Sequence, residues 1–342
     1  MAGASYRRDI VAIGASSGGI EALTAIVAAL PRDLPASLFI VLHVAAQSKS
    51  QLPEILNRAG PLPAAHAKDN EAIQSGRIYV APPNYHLLLG QGHVRIVRGP
   101  RENNHRPAID PLFRSAARFY GRRAIGIVLS GMLDDGAAGL IAIKKAGGIA
   151  MVQDPNDALF PDMPRNALTG APVDYCIPKS EIPKTIVSLI GKSFPEDRGI
   201  PMADEMKKEI DIVAMDEEAI NDADKPGTPS VFGCPDCGGV LWELQDDEWL
   251  RFRCRVGHAY SAEGLLASQG EDLDQALWNA FRVLHENAAL ARRLAERARK
   301  NNQELLVEKF ETGTREAERR AELIRDLLIS GRVNAAGDGG SD

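Results

Sequence analysis

Between residues 8 and 190 short apolar runs alternate with segments of helical periodicity. That alternation restricts this part of the chain to repeated strand and helix units around a mostly parallel sheet. Strands are predicted at residues 10–13, 38–42, 77–80, 125–129, 149–152 and 175–177, and helices at 20–29, 52–58, 111–117, 137–146 and 180–190. Residues 87–97, with Gly90 and Gly92 at the bend, read as an antiparallel hairpin. The expected fold class is α/β, doubly wound, with that hairpin as an insertion and smaller units behind it.

Composition narrows the setting. The longest uninterrupted apolar run, 25–30, is six residues, far short of the ~20 a membrane-spanning helix needs. Arg7 and Arg8 precede an apolar stretch, but Asp9 and the glycines between Gly14 and Gly19 interrupt it, so no export signal is expected. Four cysteines in 342 residues exclude a disulfide-rich secreted scaffold. A cytoplasmic protein without direct membrane insertion is expected. Residues 1–190 carry 20 Lys/Arg against 15 Asp/Glu, whereas 191–230 carry 5 against 11. The basic excess comes mainly from Arg95, Arg98, Arg101, Arg106, Arg114, Arg118, Arg122 and Arg123, read as a surface that steers an acidic partner. No aromatic interleaving or groove-reading motif accompanies it, so an acidic protein surface, or plain solvated arginines, is expected rather than nucleic acid.

Residues 14–18, Gly-Ala-Ser-Ser-Gly, fit G-x-S-x-G directly after a predicted strand and before a helix, and the pattern selects Ser16. The competing reading, a phosphate-binding glycine loop, lacks G-x-G-x-x-G and an acidic residue for ribose. A serine needs a base to take its proton, and the base needs a partner to orient it. His43 follows the second predicted strand and emerges at the same carboxyl edge of the sheet as Ser16; His66, His86, His93 and His285 read as surface residues. Asp134 and Asp135 follow the strand at 125–129 and compete as the orienting carboxylate, one of them being expected to cap the next helix.

Together, GASSGG (14–19), LHV (42–44), NHRPAIDPLF (104–113), GIVLSGMLDDGAAGL (126–140) and MPRNAL (163–168) resemble the catalytic domain of the chemotaxis protein-glutamate methylesterase family. The resemblance implies Ser16 as nucleophile, His43 as base and Asp135, which precedes Gly136, as the acid. It implies Ser17 and Met132 as oxyanion donors, Arg106 as a substrate contact, and no catalytic cofactor. The implied reaction is hydrolysis of glutamate methyl esters, with deamidation of glutamine as a second outcome, on methylated acidic helices of chemoreceptors. Only seven residues precede the segment 8–190, so the receiver domain that the family's best-known architecture carries is not expected.

Behind this segment the chain turns acidic and poor in aromatics over 193–230, a linker with a short helix around 204–212. It reads either as a passive spacer or as a segment lying over the basic surface near Arg106, Arg118 and Arg122. Cys234 and Cys237, then Cys254 and His258, form C-x2-C and C-x3-H with sixteen residues between them, the spacing of a Cys3His structural zinc ribbon with strands at 241–244 and 249–253. Cys176 reads as an ordinary core residue. Residues 271–330 have helical periodicity, and Gly313 is the expected break between two helices. The expected organisation is a catalytic domain to 192, linker to 230, ribbon to 268, helical hairpin to 330 and a disordered end to 342. Two other functions compete: an esterase or deamidase acting on another acidic protein, and a catalytically idle signalling scaffold that binds through its tail.

Overall fold

The computed structural model describes residues 5–47, 49–195, 203–244 and 249–330, and the expected disordered end lies outside them. In chain order the first part holds β1 (Ser5–Arg7), β2 (Ile10–Ala15), α1 (Gly19–Ala28), β3 (Ser37–Leu42), α2 (Leu52–Ala59), β4 (Ala64–His66) and β5 (Ile78–Val80). The hairpin β6 (His86–Leu89) and β7 (Val94–Val97) follows, then α3 (Ile109–Tyr120), β8 (Ala124–Val128), α4 (Ala137–Lys145), β9 (Ile149–Gln153), α5 (Asp162–Gly170), β10 (Tyr175–Ile177), α6 (Ile182–Gly191) and β11 (Ser193–Pro195). Next come α7 (Asp204–Val213), α8 (Glu217–Asn221), the ribbon strands β12 (Thr228–Gly233), β13 (Val240–Leu244), β14 (Arg251–Cys254) and β15 (Ala259–Ser261), and finally α9 (Ala262–Lys300) and α10 (Glu304–Ile329).

Seven strands form one sheet in the order β10, β9, β8, β2, β3, β5, β4, and every pairing in it is parallel. Alternation along β2 separates two cores. Val11, Ile13 and Ala15 face α1, α2 and α6, with Leu23, Ile26, Leu56 and Ile186 buried there. Ile10 and Ala12 face the other layer, where Ile109, Phe113, Leu140 and Met163 pack beneath the hairpin residues Leu87 and Leu89. Strand order reverses at β2, whose neighbours β3 and β8 start chain segments running to opposite edges. The crevice at such a switch point is where an open α/β sheet collects its functional side chains.

Several expectations change. Helix α5 and the short β4 were not foreseen; Pro164 sits in the first turn of α5, where its missing N–H is tolerated. Cys176 is exposed rather than buried, because β10 is an edge strand and the middle of its three residues points outward. Gly313 lies within α10, and the helix break falls at residues 301–303, where Asn302 adopts a φ of 54°.

The described chain divides into two compact units after Leu265. The second is a helical hairpin of α9 and α10 that closes on small residues, Ala288, Ala295, Ala298, Thr314 and Ala321, with Arg299 paired to Glu311 and Arg292 to Glu318. Among its described residues and those of the first unit, no helix is long and apolar enough to cross a membrane.

The first unit contains α7 and the ribbon as well as the sheet, and a buried ionic cluster joins them. Arg114 of α3 donates to Glu102 at 2.5 Å, and Arg253 of β14 donates to both Glu102 and Glu209 at 2.8 Å. Arg251 grips Glu209 of α7 with two hydrogen bonds, at 2.8 and 2.9 Å. All five side chains are nine-tenths or more buried. Burial opposes the charge on both glutamates, but the arginines around them prevail and hold both carboxyls below their ordinary range. The acidic segment also meets the basic domain at its surface, where Asp211 accepts from Arg118 at 2.5 Å.

Removing one partner from a buried cluster strands its counter-charges, whereas an exposed pair contributes little. Glu209→Ala is expected to destabilise the protein by about 3–5 kcal/mol and Asp211→Ala by less than about 1 kcal/mol, as read by urea unfolding. Equal losses would contradict this account.

Candidate functional site

Ser16 stands at the end of β2 and His43 at the end of β3, while Asp135 lies in the loop between β8 and α4. His43 Nε2 meets Asp135 Oδ2 at 2.7 Å, and the His43 side chain is 4% exposed. That contact makes Nε2 the protonated nitrogen. The other ring nitrogen, Nδ1, is buried without a partner among the described residues. Ser16 and His43 line one pocket of about 340 Å³, with Arg101, Asn104, His105 and Arg106 on its other walls. The Ser16 amide donates to Ser130 O at 3.0 Å, which ties the β2 loop to the β8 loop. Gly131 packs so closely that a Cβ there would lie 2.8 Å from Ser16 Cβ, so only glycine fits.

Asp135 is held by more than His43. Its carboxylate accepts from the Ile109 amide at 2.7 Å, Asn103 Nδ2 at 3.0 Å and the Asp110 amide at 3.2 Å. Burial opposes its charge, but the His43 hydrogen bond and charge and the Ile109 N–H outweigh burial, and the carboxyl is held below its ordinary range. Asp134 points elsewhere. It accepts from Ser261 Oγ at 2.6 Å, and its second oxygen has no partner among the described residues. Burial, reinforced by Glu263 and Asp135, pushes its carboxyl up to about 7 against the Ser261 hydrogen bond. Neither aspartate caps α4 with its side chain, contrary to expectation. Gly136 occupies the cap position, and Asp110 Oδ1 accepts from the Gly136 and Gly139 amides instead, at 3.1 and 2.7 Å.

The remaining expected residues are placed as follows. Met132 is 52% exposed beside Gly131, whose own amide is spent on Phe160 O. Ser17 is half-buried, with its carbonyl accepting from Ser130 Oγ. Arg106 reaches the pocket wall, but its guanidinium donates to Asn84 Oδ1 and Gly99 O. The expected basic surface is largely neutralised within the chain: Arg114 is buried on Glu102, and Arg95, Arg101, Arg118 and Arg123 pair with Asp69, Asp236, Asp211 and Asp9.

Two histidines read differently from expectation. His86 is fully buried in β6, bonded to Pro100 O at 2.8 Å and accepting from the Ala108 amide, because it faces inward between the hairpin and α3. His105, which the sequence reading passed over, stacks on His43 with ring centroids 3.6 Å apart. Burial, then the neighbouring His43, lower its pKa to about 3. Its place two residues before Pro107 in the N-H-R-P segment was the one available signal. Asn103, also passed over, lies just before that segment.

In the ribbon, Cys234, Cys237, Cys254 and His258 bring their donor atoms within 4.8 Å of one another. The edges run 3.7 Å from Cys237 Sγ to Cys254 Sγ, 3.7 Å from Cys234 Sγ to His258 Nδ1 and 3.5 Å from Cys254 Sγ to His258 Nδ1. A tetrahedron with Zn–S bonds near 2.3 Å has S–S edges of about 3.8 Å, so the donor set fits zinc. The two knuckles match: Gly238 N donates to Cys234 O at 2.8 Å and Gly257 N to Cys254 O at 3.0 Å.

Residues 11–186 match the family model described as CheB methylesterase. A protein-glutamate methylesterase/protein-glutamine glutaminase of Anaeromyxobacter dehalogenans is 40% identical over 183 residues, 54% of this chain and 54% of its own length. A relative from Leptospira interrogans is 39% identical over 182 residues, 53% of this chain and 94% of its own. The crystal structure of the Thermotoga maritima CheB methylesterase catalytic domain superposes with a TM-score of 0.52 at 30% identity, covering 54% of this chain and all of that one. This chain thus spans about half the length of the Anaeromyxobacter relative.

The raised pKa of Asp134 has a consequence for stability. The folded protein favours its protonated form, so that contribution is complete below the unfolded value near 4 and is lost as pH rises to about 7. Asp134→Asn, neutral throughout, should gain on the wild type across that window and not above it, by at most on the order of 4 kcal/mol. Urea unfolding of both proteins from pH 4 to 8 checks this; a constant difference would refute it.

Proposed function

This chain belongs to the CheB methylesterase family, and on that premise we propose that it hydrolyses glutamate methyl esters on acidic helices of chemoreceptor-type signalling proteins. The observation that carries the reading is the 2.7 Å bond from His43 to Asp135 at the wall of the pocket that Ser16 lines. Ser16 attacks the ester carbonyl while His43 accepts its proton on Nδ1, the nitrogen that Asp135 leaves available. The tetrahedral oxyanion is taken by the Met132 amide and the Ser17 hydroxyl, donors of a kind typically worth about 3 kcal/mol each. The imidazolium returns the proton to the departing methoxide, and water then resolves the acyl-enzyme with His43 again as base. Glutamine deamidation runs through the same acyl-enzyme with ammonia as the leaving group.

The roles of Asp134 and Asp135 separate on their contacts. Asp135 orients His43 and stabilises its charged form, while Asp134 bonds the ribbon. Arg106 lines the pocket with its guanidinium bonded to the neutral acceptors Asn84 Oδ1 and Gly99 O, and its charge favours an acidic helix as substrate. The cytoplasm, where chemoreceptor signalling helices and reduced thiols are found, fits both the substrate and the ribbon. Zinc on Cys234, Cys237, Cys254 and His258 is assigned a structural role, since four protein donors leave no position for substrate.

Ser16→Ala should abolish methanol release from methylated receptor fragments, and Asp135→Asn should lower turnover by ~10⁴-fold, far more than Asp134→Asn. Near-normal turnover in Ser16→Ala, or loss through Ser17→Ala alone, would overturn the assignment of the nucleophile. Elemental analysis should find one zinc per chain, lost in Cys254→Ser. A purified chain without zinc would refute the ribbon assignment.

A further inference from the structure

One side chain, Asn103, bonds both the Asp135 carboxylate and the backbone of the ribbon. Asn103 is 6% exposed, and three hydrogen bonds use its amide group. Its Nδ2 donates to Asp135 Oδ1 at 3.0 Å and to Asp110 Oδ2 at 3.1 Å, and its Oδ1 accepts from the Ser261 amide at 2.9 Å. The last of these decides the amide's orientation. With Oδ1 anchored by the N–H of β15, the NH₂ must face the two carboxylates. Turned over, the amide would set its carbonyl oxygen against both of them and leave the Ser261 N–H unpaired.

The backbone around Asn103 is held by residues adjacent to the candidate metal ligands. The Ala259 backbone, next to His258, donates its N–H to Arg101 O at 3.1 Å and accepts on its carbonyl from the Asn103 backbone N–H at 2.8 Å. Arg253, next to Cys254, holds Glu102 at 2.8 Å. Ser261 adds a bond from its hydroxyl to Asp134, the neighbour of Asp135. Three consecutive residues, Arg101 to Asn103, are therefore fixed by β14 and β15, and His105 two residues on stacks on His43.

We propose that Asn103 is a positioning residue for the His43–Asp135 pair and that the metal-bearing ribbon holds it in place, so that filling the Cys3His group raises turnover at Ser16. This rests on the esterase reading above. Asn103 touches no reacting atom; it acts through Asp135, whose orientation toward His43 Nε2 it shares in setting. Metal pins the Cys254–His258 knuckle, which Arg253 and Ala259 flank, and these two residues pin the loop.

The test uses the full-length protein, zinc-loaded, stripped with a chelator and refilled with zinc, as wild type and as Asn103→Gly. Glycine removes the amide without strain at the left-handed φ of 48° that Asn103 adopts. With p-nitrophenyl acetate as probe, loaded Asn103→Gly should lose about 10–100-fold in kcat, the effect of one charge-assisted hydrogen bond on a rate, with KM unchanged. Stripping zinc should lower the wild-type kcat to a similar level, reversibly, and leave the Asn103→Gly kcat where it was. That non-additivity is the signature of one shared path. Amide hydrogen exchange at Asn103, Ala259 and Ser261 should quicken when zinc is removed and slow when it is restored. Wild-type kcat in loaded Asn103→Gly overturns the proposal, as does zinc removal that lowers kcat by the same factor in both proteins. Ser16→Ala distinguishes the underlying reading: if it hydrolyses the probe at the wild-type rate, the esterase assignment fails whatever Asn103 does.

Discussion

Two buried carboxylates, Asp135 and Asp110, lock the starts of two helices to each other, and the site is built on that lock. Asp135 precedes α4 but accepts from the first two amides of α3, Ile109 and Asp110. Asp110 belongs to α3 but accepts from Gly136 and Gly139 at the start of α4. Neither helix is capped by its own cap residue's side chain. Each takes the other's acid, and the positive end of each helix dipole faces a carboxylate. The two helices approach closely enough that a Cβ on Gly139 would lie 2.5 Å from Phe113 Cβ. Burial and the neighbouring Asp135 charge push the Asp110 carboxyl up, so the pair holds one firmly ionised member, the one facing His43.

The sequence makes one half of this arrangement legible. Strand ends are visible because the apolar period changes there, and Ser16, His43 and Asp135 each follow such an end. Reading the residues alone could not separate Asp134 from Asp135, since both precede α4 and both suit a helix start. Exchange of caps between residues 26 positions apart leaves no local pattern, so the assignment of Asp110 to α4 was out of reach. Asn103 and Ser261, 158 positions apart, were equally invisible. Arg114 misled for a related reason: on a helix with apolar spacing an arginine reads as solvated unless a carboxylate is known to face it, and Glu102 lies outside that helix.

The ionic cluster of Arg114, Glu102, Arg253, Glu209 and Arg251 is a poor device for raw stability. Taking five charges from water is expensive, and apolar replacements of similar shape often do as well. What such a cluster imposes is a single arrangement, because any shift of α7 or β14 relative to α3 leaves a charge buried alone. The ribbon needs this, since among the described residues its own buried apolar core is Cys234, Leu241, Phe252, Cys254, Tyr260 and Leu265, and two of these six are metal-ligand candidates. So small a core cannot fix its own orientation by shape.

The family match ends at residue 186, but the compact unit that contains the site runs to Leu265. Side chains from beyond the match reach its centre. Ser261 contacts Asp134 and orients Asn103, Arg253 contacts Glu102, and Asp211 covers Arg118. Removing the later residues would leave Glu102 and Arg114 facing solvent with one counter-charge fewer, Asp134 with no hydrogen-bond donor from Ser261, and the Asn103 amide free to turn. The ribbon is therefore better understood as the wall that closes the far side of the Asp135 network than as an appendage on a finished domain. The zinc proposed for its four donors would suit that place, because ligation at the Cys254–His258 knuckle would stiffen the backbone from which the contacts of Arg253 and Ala259 to the loop depart.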